Sequence, residues 1–490
     1  MEGLSAIDYV IAREVLQRGI AALYFVAFWS TLRQFPALLG ERGLQPAPKL
    51  LDWAASSPSR RRRLRFTIFR YVRYTDRRLR ILCVGMLVIA ALLVAGVPQL
   101  GPPPVAMAAF LALWAGYRSI TSLGQAFYGF GWELLLLEVG FLAAFLGSAH
   151  EPPTVFVIVL FWWLLFRLEF GAGMIKLRGG REWRDLTALT YHHETQPLPG
   201  PLSRQAHLLP RWFHKLEVLG NHFAQLIVPW LLAVPLLGYW VPGPVPAMIG
   251  TAAAAIMIAT QLWLVLTGNF AWLNWATIVI AASGLAVPWA SAPATVASPE
   301  IPLYWLIITG IVFAGYVWLS WPAVRNLFFP SGRQVMNGSF NRLQLANAYG
   351  AFGTVTKRRV EYVIEGTRDD DPASATWHEY EFSGKPGDTR RRPPQVAPRH
   401  LRLDWLMWFL PLGRPLEGWF TTFLGRLLEA DPQTLQLLRH DPFGGERPTW
   451  IRVVAYRYRF TTRAERRETG AVWLRDERRI RKAPMRIKRR

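Results

Sequence analysis

Nine nearly unbroken apolar stretches fill the first two thirds of the chain, at 18–38, 81–98, 104–122, 131–147, 154–176, 222–240, 245–267, 271–289 and 302–321. About 20 residues at 1.5 Å each cross the roughly 30 Å hydrocarbon layer. The pattern therefore predicts membrane helices, not soluble helices with one apolar stripe. Two stretches depart from it. Segment 131–147 carries Glu133 and Glu138 and is expected to be re-entrant or buried among other helices. Segment 271–289 is short and contains Asn274. The expected bundle thus has about seven to nine transmembrane helices. Pro/Gly clusters at Gly101–Pro104, Glu151–Pro153, Pro199–Pro201, Pro242–Pro246 and Pro293–Pro302 mark the connections.

After Pro330 the pattern changes to alternation. NRLQLANAYGAFG (Asn341–Gly353), KRRVEYVIEG (Lys357–Gly366), HEYEFSG (His378–Gly384), TWIRVVAYRYRF (Thr449–Phe460) and AVWLRD (Ala471–Asp476) read as strands. Leu401–Leu410 reads as an amphipathic helix, and Arg426–Arg439 as helix with Asp431-Pro432 starting a second one. The expected fold is a membrane all-α bundle over 1–330, with a polar Trp/His-rich loop at 177–221. A soluble α+β domain over 331–477 and a basic tail at 478–490 follow.

Composition sharpens this picture. The chain is 52% hydrophobic with 23 Trp, a residue that favours the bilayer interface. The Leu16–Leu39 stretch holds Arg33 and lacks a small-residue cleavage site, so a retained anchor is expected. A single cysteine, Cys83, excludes an intrachain disulfide and a dithiol redox motif. The net charge of +23 is uneven: Arg60–Arg80 holds ten Arg against Asp76 alone, and Arg478–Arg490 holds eight basic residues and no acid. Such runs attract anionic lipid headgroups or form a solvated surface. No recognition motif supports nucleic acid. The positive-inside rule would put both runs in the cytoplasm.

Candidate chemistry concentrates at the end of the fifth apolar stretch. Five of nine His, namely His192, His193, His207, His214 and His222, fall within 31 residues, with Glu194 and Glu217 nearby. Imidazole and carboxylate suit zinc or iron, but the spacing matches no zinc motif. Packing and hydrogen bonding in an ordered loop, or contact with a client protein, account for the cluster without a metal. Lys176 closes an apolar helix that also holds Arg167 and Glu169. It is either a snorkelling lysine or, as an amine held away from water, a general base. Arg167 could pair with Glu133 or Glu138. Asn269 and Asn274 read as hydrogen-bonding glue between helices. No G-x-S-x-G elbow, P-loop or dinucleotide fingerprint is present, so no cofactor is expected. Asn337-Gly338-Ser339 is a glycosylation sequon, meaningful only in an endoplasmic reticulum.

REWRDLTALTYHHETQPLP (Arg181–Pro199) resembles the signature segment of the lipase maturation factor family of multi-pass membrane proteins. Tyr24–Pro46, Gly124–Phe145, Phe166–Trp275, Ser331–Asn337, Asn347–Glu361, Trp377–Asp388 and Arg402–Phe409 extend the likeness, which fades after about Asp476. The resemblance implies a chaperone-like maturation factor for secreted lipases, without catalytic activity. It also implies a C-terminal domain outside the cytoplasm, against the positive-inside reading. Animal members reside in the endoplasmic reticulum membrane. The Arg-rich runs, the single Cys and the lack of a retention signal point to a bacterial member in the cytoplasmic membrane. Trp183, Arg184, Asp185, Tyr191, His192, Glu194, Gln196, Tyr349, Gly350 and Phe352 are the expected client-contact or structural residues. FGAGMIKL (Phe170–Leu177) also resembles, more distantly, the helix end bearing the catalytic lysine of vitamin K-dependent γ-carboxylases. That likeness implies a membrane enzyme using Lys176 as base.

Overall fold

The computed structural model describes residues 4–241, 243–287, 300–330, 332–413 and 418–486. Residues 288–289 of the eighth apolar stretch, most of the Pro293–Pro302 cluster and residues 487–490 of the tail lie outside them. All nine apolar stretches fall on helices: Val10–Leu39, Asp76–Ala95, Pro103–Thr121, Gly131–Ala143, Val155–Arg178, Arg211–His222 with its continuation through Val228–Tyr239, Val245–Thr267, Leu273–Ala281 and Leu303–Phe328. Among the described residues six are long and apolar enough to cross a membrane, the exceptions being Pro103–Thr121, Gly131–Ala143 and Leu273–Ala281. The 24-residue helix Val155–Arg178 reaches about 36 Å at 1.5 Å per residue.

Local rules set the helix ends. Thr75 caps Asp76–Ala95 by accepting from the Arg78 N–H, and Gly96 closes it at φ +83°. That helix turns Ile81, Val84, Val88 and Leu92 outward. In water such a face would be a liability; against lipid it is the expected surface. The two acidic exceptions behave differently from the outer helices. Gly131–Ala143 is almost wholly buried, and both its carboxylates point into protein.

Those carboxylates anchor the C-terminal region. Glu138 accepts from Arg167, Tyr316 and Tyr349, and from both the backbone N–H and the Nδ2 of Asn347. Of the two partners open to Arg167 in the sequence, Glu138 is the one it takes. Glu133 instead accepts from Tyr117 and Arg402, and the Arg402 guanidinium lies 3.4 Å above the Tyr128 ring. One continuous core joins the helices to the sheet, from Leu16 and Phe28 through Trp272 to Ile364 and Ile451.

The sheet is five-stranded and antiparallel in the order β3-β2-β1-β4-β5, with β1 Arg359–Thr367, β2 His378–Phe382, β3 Leu438–His440, β4 Trp450–Phe460 and β5 Trp473–Met485. Central β1 pairs with β4 in unbroken register, Val363 opposite Val454. Helices Arg402–Phe409 and Gly418–Leu428 accompany it.

Four expectations need correction. Asn341–Gly353 is not a strand: positive φ at Gln344, Ala346 and Phe352 bends it into an irregular segment packed on the bundle. Arg402–Phe409 is buried at most positions rather than amphipathic at a surface, because Arg402 and His400 reach into the bundle. The helix expected at Arg426–Arg439 starts at Gly418 and ends at Leu428, and Leu438 onward pairs with β2, whereas the second start at Asp431-Pro432 is present: Asp431 accepts from the Thr434 N–H and caps the short helix Pro432–Leu435. Residues 478–485 of the basic tail extend β5. An edge strand exposed to solvent tolerates charge, and charge there blocks further strand addition.

Candidate functional site

The polar stretch at 177–221 is not a plain loop. It holds short helices at Arg181–Arg184, Leu189–Thr195 and Ser203–His207 and the start of Arg211–His222. Folded back, it closes one wall of a chamber of about 1340 Å³ between the bundle and the C-terminal region. The Val155–Arg178, Arg211–His222 and Val245–Thr267 helices, the Tyr349–Thr356 segment and helix Arg402–Phe409 supply the other walls. This volume sits at or above the range of small-molecule sites and is lined mostly by apolar and aromatic groups.

Six of the ten signature residues line the chamber: Trp183, His192, Gln196, Tyr349, Gly350 and Phe352. Trp183 is buried and donates its indole N–H to the Phe352 carbonyl at 2.7 Å. His192 stacks 6.1 Å from Phe270 and edge-on to Phe352 at 4.7 Å, and burial pushes its pKa down to about 3, so the ring is neutral. The Gln196 side chain donates to the Thr267 carbonyl at 2.7 Å, tying the short helix to the bundle. Gly350 lies so close to Met336 that an added Cβ would meet its side chain at 2.9 Å.

The other four lie away from the chamber. Arg184 and Asp185 are exposed, and Tyr191 is half-buried under Lys357. Glu194 accepts from the Phe460 N–H at 2.8 Å and faces His207 at 3.4 Å. Burial raises the pKa of Glu194 and lowers that of His207 to about 4.

Lys176 does not snorkel. Its side chain is buried on the chamber wall and donates to Asn221 Oδ1 at 2.8 Å and Gln225 Oε1 at 2.7 Å, under the Trp183 ring at 4.7 Å. Gln225 and Gln261 in turn donate to Glu169 at 3.1 and 2.7 Å, and Asn274 donates to Gln261 at 2.6 Å. The Gln225 amide therefore bridges a lysine and a carboxylate of one helix, and Gln261 and Asn274 extend the network to two more helices, in surroundings where every unpaired group is costly. Asn274 is glue between helices, as its type suggested. Asn269 is not: it bonds the Pro199 and Pro394 carbonyls and the Val396 and Ala397 N–H groups, joining loop to C-terminal region.

Glycines in FGAGMIKLRGG make the wall possible. A Cβ on Gly179 would stand 2.0 Å from the Gly353 carbonyl oxygen, and one on Gly171 would stand 2.7 Å from that of Tyr349. The lysine helix and the Tyr349–Gly353 backbone meet only because side chains are missing there. A second polar group occupies the wall beside it: Glu217 accepts from Trp263 at 2.6 Å and contacts His193 at 3.1 Å and His214 at 3.3 Å. Sequence reading passed over Asn221, Gln225, Gln261 and Trp263. Their signal was polar or interfacial side chains inside otherwise apolar segments.

Known proteins match this chain over most of its length. The family model for the lipase maturation factor transmembrane domain matches residues 11–289, and that for the lipase maturation factor C-terminal domain matches 345–482. This chain belongs to the lipase maturation factor family. It is 35% identical to lipase maturation factor 1 of Homo sapiens across 94% of this chain and 85% of that protein. It is 37% identical to lipase maturation factor 1 of Bos taurus, covering 96% and 88%, and 28% identical to lipase maturation factor 2 of Xenopus laevis, covering 93% and 79%. No solved structure matches. Like other lipase maturation factors, it is a multi-pass membrane protein.

Proposed function

We propose that the protein is a membrane-embedded folding factor for a secreted client of the lipase class. The observation that carries this reading is the likeness to lipase maturation factor 1 over 94% of the chain. The signature residues add support, because the matched segment builds a chamber wall and leaves Arg184 and Asp185 exposed for contact with a partner. Co-expression with a secreted lipase in cells lacking the protein tests it. Lipase activity per mass of secreted lipase should rise when the protein is restored. An unchanged specific activity for every lipase tried would end this reading.

A second reading, a membrane enzyme using Lys176 as base, is favoured by one observation: the amine is buried at the chamber wall, away from bulk water. Lys176→Met and Lys176→Arg decide it. Arg keeps a cation but cannot release a proton near neutral pH, so full function in Lys176→Arg removes the base. A third reading, an anionic-lipid-binding scaffold, is supported by the exposure of Arg60, Arg61, Arg62, Arg65, Arg70, Arg73, Arg77, Arg78 and Arg80. Native mass spectrometry should count fewer retained anionic lipids after Arg→Gln replacement of the run.

A further inference from the structure

We propose that His193, His214 and Glu217 form a binding site for a divalent transition-metal ion, zinc or ferrous iron, at the chamber wall. One ring nitrogen from each histidine and one carboxylate oxygen of Glu217 all lie within 4.8 Å of one another. Ligands around a tetrahedral ion at about 2.1 Å stand roughly 3.4 Å apart. Glu217 Oε2 lies 3.2 Å from His193 Nε2 and 3.3 Å from His214 Nδ1, which already meets that spacing. Only the two rings need to close on each other, by no more than roughly 1.4 Å.

The donor set is a chemically coherent one. Two imidazoles and one carboxylate are the three-ligand complement of open zinc sites and of ferrous facial triads, each of which leaves positions for water or substrate. Here the open side has somewhere to lead, because His193 and Glu217 line the chamber. The spacing of the sequence hid the set. His214 and Glu217 are three residues apart on one helix, while His193 comes from the short helix Leu189–Thr195.

The surroundings hold the ligands as an outer shell should. Trp263 Nε1 donates to Glu217 Oε1 at 2.6 Å, orienting the carboxylate. His214 Nε2 faces the His207 carbonyl at 3.4 Å, which favours the tautomer with a free lone pair on Nδ1. The helix that bears His193 is fixed at its far end by Gln196 on Thr267 and by Glu194 on Phe460. Ligands on packed helices with fixed partners make a preorganised site.

The test uses the full-length protein purified in detergent without added metal, then stripped with chelator. Metal content before stripping, read by plasma mass spectrometry, should show about one zinc or iron per chain and identify which. The stripped protein should rebind Zn²⁺, or Fe²⁺ under anaerobic conditions, and Glu217→Gln and His193→Asn should weaken binding by at least ~100-fold. Co²⁺ provides a readout independent of variant folding: in the stripped wild-type protein it should develop the intense visible bands of a low-symmetry N/O site. Metal added to the wild type should also raise its unfolding temperature, a shift absent in Glu217→Gln. Wild-type protein that retains no more metal than the variants, or whose Co²⁺ spectrum equals that of the aqueous ion, would overturn the proposal.

Discussion

Glu138→Ala is the substitution from which the structure predicts most. Glu138 is fully buried and is the common acceptor for Arg167, Tyr316, Tyr349 and the two N–H donors of Asn347. Removing it strands the guanidinium of Arg167, itself 1% exposed. Breaking a buried ion pair from one side costs about 3–5 kcal/mol. Four neutral donors also lose their acceptor, at roughly 1 kcal/mol each before relaxation. These losses share one site and do not add fully, so the expected destabilisation is about 4–6 kcal/mol. That is a large fraction of the ~5–15 kcal/mol of a typical domain. Glu138→Gln should cost less, since an amide oxygen still accepts from the tyrosines. Glu138→Leu combined with Arg167→Met should recover most of the loss, because no unpaired charge remains. Reversible unfolding in mixed micelles with rising SDS gives the free energies. A loss below about 1 kcal/mol in Glu138→Ala would refute the anchor, as would a double variant no more stable than Glu138→Ala.

Three further outcomes are expected. Gly350→Val should cost about 1–3 kcal/mol by overpacking against Met336 and Ile175, whereas Arg184→Ala at an exposed position should lower lipase maturation with a stability change within about 0.5 kcal/mol; thermal unfolding and specific lipase activity read the two effects. Asp404, raised by burial from 3.8 to about 6, favours the native state fully below its unfolded value and loses that contribution as pH climbs through 6. Asp404→Asn should therefore flatten the stability–pH curve between about pH 4 and 6 and gain up to about 3 kcal/mol at pH 7, whereas parallel curves for both proteins would discount the buried carboxyl. A reporter active only outside the cytoplasm, fused after Arg490, should be active; activity of a cytoplasmic reporter instead would reverse the orientation.

The apolar stretches were legible because a lipid-facing helix leaves a composition signal that needs no tertiary partner. Strands β2 and β4 were legible for a related reason: alternation survives where one face is covered. The Asn341–Gly353 segment shows the limit. Its alternation is real, but the buried side chains face helices 200 residues away, and left-handed positions at Gln344 and Ala346 bend the backbone out of any ladder. The chamber was half visible. The family resemblance named six of its lining residues, three in Arg181–Pro199 and three in Tyr349–Phe352, but neither the amide chain from Lys176 to Asn274 nor the meeting of His193 with His214 and Glu217 has a sequence period, since each is assembled from separate elements.

The two buried carboxylates also impose an order on synthesis. Glu138 precedes Asn347 by 209 residues, and Glu133 precedes Arg402 by 269. When the Gly131–Ala143 segment enters the bilayer, Asn347, Tyr349 and Arg402, which will complete the pairing of these acids, are still untranslated. A nascent chain ending near residue 340 leaves Glu138 without its Asn347 and Tyr349 donors and Glu133 without its arginine. A premature stop codon between Phe328 and Arg402 thus leaves Glu133 without its arginine, a polar scar inside the membrane for quality-control proteases to find, even though every apolar helix has already been made.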